Sequence, residues 1–270
     1  MEETAGLALF AAEVAKGEET DLGRAAALLG LIVEPEIDVE GCIGSLRELA
    51  RTVEARRMGP VESVSSLFGE NGFRGNDDDY YDPRNSFLHE VLARRLGIPI
   101  SLSVVAIEVG RHAGIPVEGV PFPGHFLVRV RATGETVILD PFAGGQVLSD
   151  ADLLTRMRAV TGRMGSLGPS ELRRASKRQV LSRMLQNLKG IYLKSEQLAQ
   201  GAAVQERLVV LNPDDAAEVR DRGLIYARLG RVAEAEADLL DYMRQRPGAS
   251  DESAVRRVAE HLRKRRGPIN

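Results

Sequence analysis

An α+β fold followed by a helical repeat is what this 270-residue sequence predicts. Three observations carry that expectation. Apolar residues recur at helical spacing through the N-terminal third and again from Ser101 to Ala113. After Pro116 the period shortens to about 2, the alternation of half-buried strands. In the last hundred residues, Pro213 and Pro247 stand 34 apart, as do Tyr192 and Tyr226, which is a repeat of paired helices.

From the start of the chain, residues 5–16 and 21–33 read as helices rich in Ala, Leu and Val, and Pro35 ends the second. Asp38 is placed to cap a third helix that reaches about Arg57. Val39, Cys42, Leu46, Leu49 and Val53 share one face of it, so Cys42 reads as a small buried residue. A fourth helix, from about Val61 to Phe68, gives way to Gly69, Gly72 and Gly75. These four form a helical layer packed on the remainder of the first domain.

The run Asn76–Asp82 holds four aspartates and two tyrosines but lacks the spaced ligands and glycine of a calcium loop. It reads as a solvated loop, pinned by burial of the Tyr80 and Tyr81 rings. Ser86–Leu96 is amphipathic, whereas Ser101–Ala113 is apolar on nearly every side and belongs at the centre, with Ser101 as its N-cap. Val117–Val120, Phe126–Arg131 and Glu135–Leu139 are short strands, with a turn at Thr133-Gly134. If they pair as a hairpin, His125 and Asp140 become neighbours across it. Ser149 or Asp150 then caps a helix to about Val160, and Gly162, Gly165 and Gly168-Pro169 mark a linker. The expected domains are 1–164 and 165–270.

The second of these has the register of a tetratricopeptide repeat. Gly223, Tyr226, Gly230, Ala235 and Pro247 form the clearer copy; small residues there let paired helices approach, and proline ends the second. The first copy keeps Tyr192 and Leu211-Asn212-Pro213 but has Gly201 for the alanine and Lys189 where Gly223 stands. Glu252–Arg265 reads as a capping helix.

Composition narrows the function classes. A hydrophobic content of 43% and a charged content of 28% are ordinary for a globular protein. A net charge of -3 argues against general nucleic-acid binding, and no apolar run is long enough to span a membrane. The N-terminal Met1-Glu2-Glu3-Thr4 is acidic where a signal peptide is basic, so the cytoplasm is the expected compartment. With Cys42 the only cysteine, neither an intrachain disulfide nor a cysteine zinc cluster is expected. No metal or other cofactor is expected.

The motifs Tyr80-Tyr81-Asp82-Pro83-Arg84-Asn85-Ser86, Gly97-Ile98-Pro99-Ile100-Ser101-Leu102-Ser103, Pro123-Gly124-His125-Phe126-Leu127 and Asp140-Pro141-Phe142 occur in that order. In this the chain resembles the SirB-type family, a branch of the transglutaminase-like proteins, with weaker similarity over the N-terminal third. The resemblance implies a papain-like core. In active enzymes of that superfamily a Cys opens the central helix, a few turns before a Gly-Ile-Pro. Aligned on Gly114-Ile115-Pro116, its position falls at or beside Pro99. The superfamily's His and Asp match His125 and Asp140, but the nucleophile is missing.

In a Cys/His/Asp set the His takes the thiol proton while the Asp orients and stabilises the imidazolium. His125 and Asp140 are therefore catalytic candidates or relics, and Ser101 and Ser103 are the substitute nucleophiles to weigh. Against them stand an N-cap role for Ser101 and a turn-forming role for Asp140 before Pro141. Asn85, Pro99 and Gly124 are candidates for lining the cleft. The leading functional expectation is a non-catalytic or cryptic module that binds a protein or peptide, with the repeats as a second contact surface. The rival is a hydrolase or acyltransferase that uses a serine with His125 and Asp140.

Overall fold

The computed structural model describes residues 2–69, 71–132, 134–162, 168 and 172–266. It divides into two compact units, Ala12–Met184 and Met1–Ala11 with Leu185–Asn270. The expected boundary at 164/165 and Thr133 of the expected turn both lie outside the described residues.

The helices run in the order α1 (Glu2–Val14), α2 (Leu22–Leu28), α3 (Val39–Ala55), α4 (Pro60–Ser65), α5 (Leu88–Arg94), α6 (Pro99–His112) and α7 (Asp150–Thr161). Asp38 caps α3, its carboxylate accepting from the Gly41 amide at 2.8 Å, and Cys42, Leu46, Leu49 and Val53 are buried along one face. The helix expected over residues 86–96 is shorter because Arg95 adopts a left-handed conformation, φ 61°, and closes α5. Leu96–Gly97 (β2) then pairs in parallel with Arg74–Gly75 (β1), a ladder too short to show any alternation in sequence.

The central helix α6 starts two residues before the expected cap. Pro99 fills its first position, where a missing N–H costs nothing and φ is already helical. Ser101 is therefore not the N-cap but lies one turn in, and its Oγ accepts from the Ile98 amide at 3.1 Å. Eleven of the fourteen residues of α6 are buried, which places it at the centre of its unit.

A four-stranded antiparallel sheet packs against α6 in the order β3 (Val117–Phe122), β4 (His125–Ala132), β5 (Glu135–Asp140) and β6 (Gln146–Leu148). Val120, Leu127, Val128, Val130 and Leu139 fill the core on its faces. Gly134, at φ 79°, lies in the two-residue connection between β4 and β5. Their register pairs Val128 with Leu139. Continued by one step, it sets Leu127 opposite Asp140 and leaves His125 diagonal to Asp140 on the same side.

The other unit takes in most of α1 and the helical hairpins of α8 (Lys177–Lys194, its later turns), α9 (Leu198–Leu211), α10 (Ala216–Leu229), α11 (Val232–Gln245) and α12 (Glu252–Arg266). The 34-residue register places Tyr192 and Tyr226 at equivalent buried positions. A Cβ added at Gly223 would come within 3.0 Å of Asp238 and Leu239 on α11, so this glycine sits where α10 and α11 touch. Ala235 on α11 is fully buried, and Gly230 ends α10 with φ 76°. At the position equivalent to Gly223, Lys189 reaches Asp221 at 2.6 Å.

Candidate functional site

His125 opens β4 and Asp140 closes β5, and the structure brings the two together. The His125 Nε2 lies 2.8 Å from an Asp140 carboxylate oxygen. That same oxygen accepts from the amides of Phe142 at 3.0 Å and Ala143 at 3.1 Å, the turn expected before Pro141. The other Asp140 oxygen is taken by the guanidinium of Arg156, from α7. Burial, the largest single influence, pushes the Asp140 carboxyl up. The bonds from His125, Arg156 and the Ala143 amide outweigh it and hold the carboxyl below its ordinary value. An ionised Asp140 can only accept, so Nε2 carries the proton in this pair and Nδ1 is the ring's other nitrogen.

Asp140 is 1% exposed and the His125 side chain 18% exposed, so the imidazole is the part of the pair that reaches the surface. Phe142 stands edge-on to it with ring centroids 6.1 Å apart, and Tyr80 stands edge-on to Phe142 at 5.8 Å. Tyr80 and Tyr81 are 38% and 64% exposed, so the expected pinning of their loop by ring burial does not occur. Buried polar groups hold the loop instead. Asn76 donates to Asn85 at 3.0 Å, Asn85 donates to the Asp79 carbonyl at 2.7 Å, and Asp82 accepts from the Arg84 amide at 2.9 Å.

The two serines are placed differently. Ser101 Oγ is fully buried, 2.6 Å from the Asn85 carbonyl and 3.1 Å from that of Ile98. Ser103 Oγ is also fully buried, 2.7 Å from the Pro99 carbonyl, with the Phe126 carbonyl at 3.4 Å. Each hydroxyl thus serves backbone on α6 and the segments packed on it, and neither hydrogen-bonds to His125. Of the expected cleft residues, Pro99 is buried in the first turn of α6 and Asn85 is fully buried as a loop anchor. Gly124 is exposed beside His125, at φ 68°, with room for a Cβ limited by Val160 at 3.0 Å.

Arg156 is not legible in the sequence as part of this site. It lies 16 residues beyond Asp140, on a helix whose sequence reads as ordinary and amphipathic, and only the tertiary packing aims it at Asp140. Among the described residues, no group of three or more His, Cys, Asp or Glu side chains is arranged to hold a metal ion. Among them also, no helix is long and apolar enough to cross a membrane.

A model of the transglutaminase-like superfamily matches residues 42–186, and a tetratricopeptide repeat model matches residues 188–263. A UPF0162 protein of Xylella fastidiosa (strain 9a5c) is 41% identical over 196 residues, 70% of this chain and 69% of that protein. The chain belongs to the transglutaminase-like superfamily, in its SirB1/UPF0162 branch. Protein SirB1 of Salmonella typhimurium is 30% identical over 189 residues, 69% of this chain and 70% of its own length. UPF0162 protein YchA of Escherichia coli K12 is 29% identical over 219 residues, 79% and 81% of the two chains. No solved structure matches. The superfamily match covers α3 through the sheet and α7, hence both members of the His125–Asp140 pair and the arginine that holds it.

Proposed function

We propose that this SirB1/UPF0162 member is a protein- or peptide-binding regulatory module whose transglutaminase-like core does not transfer acyl groups. One observation carries the reading. The start of the central helix, to which the superfamily nucleophile aligns, holds buried Pro99, while the nearby Ser101 and Ser103 hydroxyls are fully buried and directed at backbone carbonyls. Serine needs an adjacent base to become a nucleophile, and neither of these hydroxyls bonds to one. On this reading His125, Asp140 and Arg156 form a clamp that ties β4, β5 and α7 together, and the edge-on aromatic rings beside it offer contact surface. The tetratricopeptide hairpins add a second surface, since stacked repeat helices present concave faces suited to binding proteins. A cytoplasmic location belongs to the same proposal.

The test is affinity capture on the immobilised full chain, followed by titration of the captured partner against wild type and His125→Ala. Saturable binding that survives in His125→Ala, to the extent that folding survives, supports the proposal. Turnover of an acyl substrate by wild type, abolished in a His125→Ala protein with unchanged melting, contradicts it.

A further inference from the structure

A second recess, distant in sequence from the His125–Asp140 pair, lies between α3, α5 and the Glu34–Asp38 segment. It is a groove of about 670 Å³ with an apolar floor that includes Ile37, Leu49 and Leu92. Its long wall is one face of α3. Asp38, Gly41, Ser45, Glu48 and Thr52 follow one another at intervals of three and four, so they lie in a row along the helix. At 1.5 Å per residue that row is about 21 Å long. Opposite it stand His89 and Ala93 of α5, four apart and so on one side of that helix. The row along α3, with α5 across from it and an apolar floor between, offers a seat for a third helix with anchors at i, i+3, i+4 and i+7. Gly41, Ser45 and Ala93 are small and exposed, so nothing bulky blocks close approach.

Charge selects among helices. The carboxylates of Glu34, Asp38 and Glu48 line the groove, against the guanidinium of Arg95. Arg95 is turned over the Phe73 ring, 4.5 Å from its centroid, and Glu48 is offset by Arg51 at 2.8 Å. Glu34 has His89 beside it, at 3.5 Å. Burial favours the neutral form of that imidazole, so it does little to offset the Glu34 charge.

We propose that this groove is a docking site for an amphipathic helix of a partner protein, apolar on one face and carrying lysine or arginine where it meets the Glu34–Asp38 end. The row of about 21 Å along α3 matches a helical segment of about four turns. The inference concerns a different surface from the clamp and does not depend on whether His125 retains any chemistry.

The test pans a displayed library of amphipathic helical peptides, about 14 residues long and random in charge, against the full chain. Enriched sequences are then titrated against wild type, Ser45→Trp and Glu34→Lys. Ser45 is exposed and its hydroxyl donates to the Gly41 carbonyl of its own helix at 3.0 Å, so tryptophan there fills the groove without entering the core. The expected result is selection of lysine- and arginine-rich helices, weakened roughly tenfold or more by Ser45→Trp and several-fold by Glu34→Lys, with melting unchanged. Enrichment of acidic or neutral peptides overturns the proposal, as does binding indifferent to Ser45→Trp. A protein that self-associates, and becomes monomeric in Ser45→Trp, assigns the groove to a second copy and overturns it equally.

Discussion

Asp140 is shared between His125, at 2.8 Å on one carboxylate oxygen, and Arg156 on the other. A carboxylate held on both sides fixes the imidazole ring, and through Arg156 it ties the hairpin to α7. Removing the imidazole leaves Asp140 with Arg156 and two backbone amides. His125→Ala is therefore expected to lower stability by about 1–3 kcal/mol, towards the smaller figure, rather than to unfold the protein. Urea unfolding of the two proteins measures this.

The same carboxylate gives a pH signature with a definite sign. Burial raises its folded pKa, but the His125 and Arg156 bonds and the Ala143 amide outweigh burial, leaving it below the unfolded value of about 3.9. Its contribution to stability is therefore complete above that value and is lost as pH falls through the lower folded one. The stability gap between wild type and Asp140→Asn is expected to persist down to the carboxylate range and to narrow as pH falls through it. Urea midpoints from about pH 6 down to about pH 2 follow it; a gap that widens towards acid contradicts the assignment.

How much of the molecule is legible in its sequence depends on sequence distance. The His125–Asp140 pair is legible because a period of 2 and a glycine turn define the hairpin that carries both ends. The buried face of α3 is legible for the same kind of reason, a 3.6-residue period behind a capping aspartate. Arg156 is not, since nothing local to α7 marks which of its side chains faces Asp140. Ser101 reads as a cap only if the serine is weighted above the proline two residues earlier, which in fact starts the helix. The Asn76–Asp82 loop misleads through its rings: tyrosines suggest burial, yet its buried members are Asn76 and Asp82, with the buried Asn85 just beyond it.

Cys42 sits on the buried face of α3, 7% exposed, and burial pushes its thiol up. Reaction with a thiol reagent near neutral pH is expected to be slow in the native protein and fast after denaturation, since the thiolate is the reactive form. Rapid native labelling contradicts this placement.

In the repeat unit, Gly223 leaves no room for a side chain against Asp238 and Leu239. Gly223→Leu is expected to overpack α10 against α11 and destabilise by about 1–3 kcal/mol. A melting curve indistinguishable from wild type contradicts the contact.

The most direct test of a core without acyl chemistry is intact-mass analysis of the native protein after exposure to a serine-directed electrophile. Both candidate hydroxyls are fully buried and directed at carbonyl oxygens, so no adduct is expected on either. A stoichiometric adduct on Ser101 or Ser103 that disappears in His125→Ala would contradict the account and restore the pair to a catalytic role.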